Sequence, residues 1–285
     1  MTHSEPSWIT EPKATLDATH IANLHPREIF DCSGTTALVV GAGGVGSWLA
    51  AGLARAGADV VVADVSNDRV DAITQLIRQT GATASGFTAD LADLDAIGDL
   101  FFTVANRSAA PMRILVNTAA VNKRMSADDV DSDTYDWVMG VDLRMPFFLS
   151  QAGAGVMRKE GGGSIIHISS TNARFGLQST SVYAAAKAGL EQLTRTLAVE
   201  WAPDQIRVNC IAPGFLMTDL SRPLWDQPWK RQWILDRVPI ARPGSPSELV
   251  GACLLLASGA GSFITGQTLT VDGGFLAGNS WEPHG

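Results

Sequence analysis

Tyr183 and Lys187 stand four residues apart in the stretch Tyr-Ala-Ala-Ala-Lys, a phenol and an ammonium separated only by alanines. On a helix that spacing puts both side chains on one face, a little over one turn apart. A free phenol ionises at about pH 10 and is a poor base at neutral pH. A nearby ammonium favours the phenolate, so the pair is poised to take a proton from an alcohol or give one to a carbonyl. Five residues alone do not carry this, because a solvated lysine and a packed tyrosine on an ordinary helix would be spelled the same way. Ser170 adds a third polar group thirteen residues before the tyrosine, at the end of the apolar run Ser-Ile-Ile-His-Ile-Ser-Ser. Its hydroxyl can hydrogen-bond a substrate oxygen and stabilise charge developing there.

The elements that must position these groups are visible as texture. Short apolar runs at 36–40, 59–64, 82–90, 113–119, 164–170, 206–214 and 268–274 read as seven strands. Between them, segments such as 47–58, 70–81, 94–107 and 134–163 have helical apolar spacing, and several are closed by glycine. Strands alternating with helices predict an α/β fold of one domain, a seven-stranded, mostly parallel sheet with helices on both faces. Strands buried on both faces should be continuous in Val, Ile and Leu, as most of these are.

The first strand runs into Gly-Ala-Gly-Gly-Val-Gly, residues 41–46. Glycines in a strand–turn–helix context permit a tight turn and let backbone amides approach a pyrophosphate at the helix N-terminus. Gly41, Gly43, Gly44, Val45 and Gly46 are therefore candidate cofactor contacts. Asp64 ends the second strand about 20 residues on, where a carboxylate accepts hydrogen bonds from ribose hydroxyls. It would repel a ribose 2′-phosphate, and no arginine follows it directly, so NAD is expected rather than NADP.

The ordered set of glycine turn, Asp64, Ala-Asp at 89–90, Val-Asn-Thr-Ala-Ala at 116–120, Ser170, Tyr183-x-x-x-Lys187, Ile-Arg-Val-Asn-Cys-Ile-Ala-Pro-Gly from 206 and Gly-Gln-Thr-Leu-Thr-Val-Asp-Gly-Gly from 266 resembles the short-chain dehydrogenase/reductase family, over residues 30–278. The resemblance implies a doubly wound Rossmann fold and an NAD-dependent interconversion of a secondary alcohol and a ketone. It also implies that Lys187 holds the nicotinamide ribose, Asn117 and Ala119 line the cofactor, and Asp90 and Leu91 approach the adenine. Pro213, Gly214, Leu216 and Thr218 would flank the nicotinamide. A tetramer of identical chains is the usual assembly. Two departures stand out. The glycine turn is one residue shorter than the family's and has Val40 in place of its threonine. Asp142 occupies the position where the family has a catalytic asparagine that helps hold a proton-relay water.

Composition narrows the partners. The 285 residues carry a net charge of −8 and no run of Lys or Arg, which argues against nucleic acid and anionic membranes. No stretch has the uninterrupted apolar length of a membrane span. The three cysteines, Cys32, Cys210 and Cys253, are odd in number and lack metal-binding spacing, as expected for a reducing cytoplasm. Residues 1–30 show no sustained period and read as an N-terminal arm, before a catalytic domain at 31–285. His167 and Cys210, on apolar strands, read as core residues.

Residues 215–243 fall where the family has its variable substrate lid, and Trp229 and Trp233 one turn apart there read as lid packing. The lid resembles the gluconate 5-dehydrogenase-like branch, which implies a sugar acid or polyol. Arg222, Lys230, Arg231 and Arg237 are then candidates to meet a carboxylate. The tryptophans equally suit a 3-oxoacyl thioester or hydrophobic ketone reductase. The two departures leave open a protein that binds NAD without turnover.

Overall fold

The structure is a computed structural model that describes residues 25–278. Most of the expected arm lies outside those residues; its last part forms a helical turn at Pro26–Ile29. Seven strands follow: β1 Thr36–Val40, β2 Asp59–Asp64, β3 Ala84–Thr88, β4 Met112–Asn117, β5 Gly163–Ile168, β6 Ile206–Pro213 and β7 Thr268–Val271. All pairings are parallel, in the order β3-β2-β1-β4-β5-β6-β7. The order reverses between β1 and β4, and that reversal opens the crevice at the carboxyl ends of the strands where ligands of such sheets bind.

The central strands are apolar throughout because both faces are covered. Ala37 and Val39 of β1 enter one core, beside Leu49 and Leu53 of α1 (Gly44–Arg55) and Ile73 and Ile77 of α2 (Asn67–Gln79). Their neighbours Leu38 and Val40 enter the other, beside Leu100 of α3 (Leu94–Arg107) and Leu149 of α5 (Met145–Lys159). This alternation is the strand period of two, set between two helical layers. Edge strand β3 is mostly exposed, and its Gly86 lets Val70 of α2 press directly onto the backbone.

The apolar segment expected to form one long helix at 134–163 is instead two helices, α4 (Ser132–Met139) and α5, joined by a π turn at Gly140–Arg144. Pro146 explains the break. It has no N–H to donate to the carbonyl of Asp142 four residues earlier, so regular α-helical bonding fails there. The Met145 amide instead donates to Gly140, the five-residue step of a π turn. The remaining long helix, α6, spans Ser181–Trp201.

Between β6 and Gly244 the chain makes an excursion containing α7 (Arg222–Trp225) and α8 (Pro228–Leu235). Its neck is closed by Met217 N–H to Gly244 O at 2.8 Å and Gly244 N–H to Phe215 O at 3.0 Å. The excursion has its own apolar cluster of Leu224, Trp225, Ile234, Val238 and Phe275. A last helix, α9 (Val250–Ala257), returns to the sheet.

Candidate active site

At the β1 end of the crevice, the turn is drawn tight by contacts only glycine allows. Gly41 has φ +98°, and a Cβ there would lie 2.5 Å from Thr118 Oγ1. A Cβ on Gly46 would collide with the carbonyl oxygen of Gly41. Thr118 pins the turn from the β4 side, donating its hydroxyl to Val40 O at 2.9 Å. Thr118 belongs to the motif at 116–120, but the motif gave it no role of its own, since that role depends on two strands remote in sequence.

Gly43, by contrast, faces open space, and it begins α1 with no capping side chain and no acidic residue in the first turn. Helices α2, α3 and α4 are capped by Ser66, Asp93 and Asp131. Uncapped amides at a helix N-terminus attract an anion. The shortened turn therefore fits a pyrophosphate. Gly44 and Val45 form the first turn, with Thr218 at 3.4 Å from where a Gly44 Cβ would lie.

Asp64 ends β2 as expected, but it is not a free acceptor. One carboxylate oxygen receives the Ala42 N–H at 2.7 Å. The other receives Ser66 N–H at 2.8 Å and the Arg69 guanidinium at 2.6 and 3.2 Å. Burial alone would raise its pKa, but the Ala42 amide, Arg69 and the Ser66 amide outweigh it and hold the carboxyl below its ordinary value. Asp90 is exposed near this strand end and accepts the Ala92 amide, whereas Leu91 turns its side chain into the core. Asn117 ends β4 and Ala119 follows it beside the turn, and the buried Asn117 Oδ1 has no protein donor.

The groups expected to handle the proton lie where β5 meets α6. Lys187 is 1% exposed and donates its ammonium to Ile168 O at 3.1 Å, two residues before Ser170. The same ammonium lies 5.6 Å from the centre of the Tyr183 ring. Ser170 caps the 3₁₀ turn Thr171–Ala173, its hydroxyl accepting from the Asn172 amide. One turn beyond Lys187, buried Glu191 accepts Ser169 Oγ at 3.0 Å and Arg174 Nε at 2.9 Å, tying the helix to the strand end. Tyr183, Lys187 and Ser170 thus come from elements clamped together, which suits them for directed proton transfer.

Asp142, inside the π turn, is 0% exposed. One oxygen accepts the Val121 N–H at 2.9 Å, and the other has no partner. Desolvation raises its pKa against the opposing pull of Lys187 and the Val121 amide. The side chain therefore ties the π turn to the loop after β4 while lying within electrostatic reach of Lys187.

That loop delivers a residue sequence reasoning missed. Met125 N–H bonds Ser179 O at 3.2 Å, joining the β4 loop to the segment before α6. This sets Arg124 near enough to Tyr183 for the phenol to act on it electrostatically. The residue is exposed, and the protein around it desolvates the guanidinium only in part, lowering its pKa. Of the lid cations, Arg237 stacks on Trp233 at 4.2 Å, Lys230 lies over Trp229 at 5.2 Å, and Arg222 and Arg231 are exposed. Trp233 packs edge-on against Phe215, while Trp229 stays exposed. Pro213 closes β6, Gly214 leaves no room for a side chain beside Asp272, and Leu216 bridges to Gly244.

His167 is wholly buried beside Ser150, with burial and Lys187 lowering its pKa to about 3, so it is a neutral core group. Burial pushes the thiols of Cys210 and Cys253 to about 12 and that of Cys32 to about 11. Among the described residues no helix is long and apolar enough to cross a membrane.

The sequence profile of the family described as Enoyl-(Acyl carrier protein) reductase matches residues 40–276. Gluconate 5-dehydrogenase of Gluconobacter oxydans is 34% identical over 251 residues, covering 88% of this chain and 97% of that protein. A gluconate 5-dehydrogenase from Burkholderia cenocepacia, solved with NADP and tartrate, superposes with a TM-score of 0.85 at 34% identity, covering 89% of this chain and 99% of that one. A 7α-hydroxysteroid dehydrogenase, solved with NADH and 7-oxo glycochenodeoxycholic acid, has a TM-score of 0.84 at 31% identity, covering 92% of this chain and all of the other. One neighbour holds the phosphorylated cofactor and the other the unphosphorylated one.

Proposed function

We propose, for a chain that belongs to the short-chain dehydrogenase/reductase family of oxidoreductases, that it interconverts a secondary alcohol and a ketone on a sugar acid or a related hydroxy acid. The observation carrying this reading is the junction of β5 and α6, where Lys187 is fixed by Ile168 O beside Ser170 with its ammonium over the Tyr183 ring. In oxidation, the carbon–hydrogen bond of the alcohol carbon breaks and its electron pair leaves with the hydrogen. A bound nicotinamide supplies the hydride acceptor. The hydroxyl proton passes to the Tyr183 phenolate oxygen, and the Ser170 hydroxyl donates to the substrate oxygen as the carbonyl forms. Lys187, with its ammonium beside the Tyr183 ring, would assist that transfer electrostatically and would also hold the ribose of a bound nicotinamide cofactor. Reduction runs the same steps backwards.

The glycine turn, Asp64 and Asn117 would hold the dinucleotide, with Thr218 and Leu216 closing over the nicotinamide end from the lid at 215–243. We take NAD as the preferred form because Asp64 carries negative charge at the β2 end. The three buried thiols support a reducing, cytoplasmic setting. An apolar groove formed by Met139, Leu143, Phe147, Phe148 and Leu193 supports assembly of identical chains, with the tetramer as the family's usual form.

Arg124 favours an acidic substrate over the hydrophobic ketone or thioester alternative. Trp225 and Trp233 of the lid pack with Leu224, Ile234, Val238 and Phe275 and leave only Trp229 among the lid tryptophans exposed. The exposed Arg124 guanidinium, within electrostatic reach of Tyr183, offers in contrast a fork for a carboxylate. The test is cofactor reduction by wild type and Arg124→Ala on gluconate and other hydroxy acids, set against polyols of matching length. The variant should raise KM for the acids by about tenfold to a hundredfold, the scale of a hydrogen bond to a charged group. Polyol KM should stay within a few fold. Equal losses on both classes, or no loss on either, would count against the carboxylate site.

A further inference from the structure

The β2 end holds a carboxylate already claimed by its own chain. Asp64 is 8% exposed at the side chain, with donors from Ala42, Ser66 and Arg69, while the Arg69 side chain is 52% exposed. The Ala42 contact lies inside the shortened glycine turn, so Asp64 also braces that turn against β2. Val65, the next residue, is an exposed apolar side chain and offers no charge.

Arg69 sits in the first turn of α2, at the positive end of a helix dipole where a cation is disfavoured. Ser66 Oγ caps its amide at 3.4 Å, and its guanidinium folds back onto Asp64. A residue placed against its local electrostatics, with its charged head half in water beside a ribose-binding carboxylate, is well placed for a second anion.

We propose that Arg69 is a cofactor-selectivity residue: its guanidinium receives a ribose 2′-phosphate, so this site admits NADP alongside NAD instead of excluding it through Asp64. Arg69 offsets the repulsion by Asp64 and presents several donors to phosphate oxygens. Asp64 keeps its Ala42 and Ser66 donors when Arg69 turns outward, so the brace survives the change. This inference rests on reading the glycine turn as a dinucleotide site.

Titration calorimetry with 2′,5′-ADP and 5′-AMP tests it without turnover. Wild type should bind both. Arg69→Ala should weaken 2′,5′-ADP by about tenfold to a hundredfold, the range for losing a charge-assisted hydrogen bond. It should leave 5′-AMP within about threefold, since only the 2′-phosphate is read by the arginine. Arg69→Lys should fall between, keeping the charge and losing the fork. Equal weakening of both ligands, or an unchanged affinity for 2′,5′-ADP, overturns the role of Arg69. If wild type binds neither ligand, the dinucleotide reading of the turn falls, and this inference with it.

Discussion

Asp64 stands at the end of β2 and Asp142 against the loop after β4, and their surroundings drive them in opposite directions. Asp64 receives two backbone amides and a guanidinium, and its carboxyl is held below the ordinary value despite partial burial. Asp142 is sealed from water with a single amide donor, and its carboxyl is pushed up. The ionisation of a buried carboxyl follows the supply of donors more than depth alone. Their contributions to stability therefore carry opposite signs. The contribution of Asp64 is present above the ordinary carboxylate value of 3.8 and is lost as pH falls through its lowered folded value. That of Asp142 is present below 3.8 and is lost as pH rises through its raised folded value.

Isosteric amides separate the two most directly. Asp64→Asn replaces one accepting oxygen with an NH₂ that faces an existing donor, and it removes the partner of Arg69. It should destabilise the protein by about 1–2 kcal/mol in denaturant unfolding at neutral pH, toward the lower end for charged hydrogen bonds because Arg69 is half in water. A neutral outcome would mean that Ala42 and Arg69 find other acceptors and that the brace is dispensable. The same result would show that charge alone, not turn geometry, must be changed to alter cofactor preference.

Asp142→Asn should behave differently. The amide oxygen can still accept from Val121, and the NH₂ replaces an oxygen that has no donor to lose. Stability relative to wild type should rise with pH above the acid range, because the variant buries no charge there. The second readout is the pH–rate profile of alcohol oxidation. Removing a negative charge within reach of Lys187 should move its alkaline-activating limb down by about one unit. An unmoved limb in a folded, cofactor-binding variant would confine Asp142 to its structural task of fixing the π turn.

Much of this was legible in the chain before any contact was known. Buried parallel strands announce themselves as Val and Ile runs, and glycine turns are local, so the sheet and the cofactor end could be placed by pattern. Ser170, Tyr183 and Lys187 are set by one strand end and one helix, so their spacing could be read locally. Arg124 lies in a loop without periodicity, and its approach to Tyr183 depends on the Met125–Ser179 bond between distant segments. Arg69 is only five residues from Asp64, but its pairing follows from a side chain folding back around a helix start. The π turn had a local sign in Pro146 that an apolar period alone overrides, since the period survives the break. Thr118 stands in the motif at 116–120, but its pinning role carries no sign there, because its partners belong to another strand and its turn.

The central claim is that Tyr183 is the group that exchanges the proton with substrate. Mix enzyme saturated with nicotinamide cofactor with a turned-over hydroxy acid, and follow a single turnover in wild type and Tyr183→Phe, with reduced-cofactor binding measured in parallel. The account predicts that the phenylalanine variant loses about 10²–10⁴-fold in the rate of hydride transfer, the usual scale of a positioned acid or base, while cofactor affinity stays within a few fold. A variant that keeps more than about a tenth of the wild-type rate would contradict it, because a group worth so little cannot be the acid and base of the reaction.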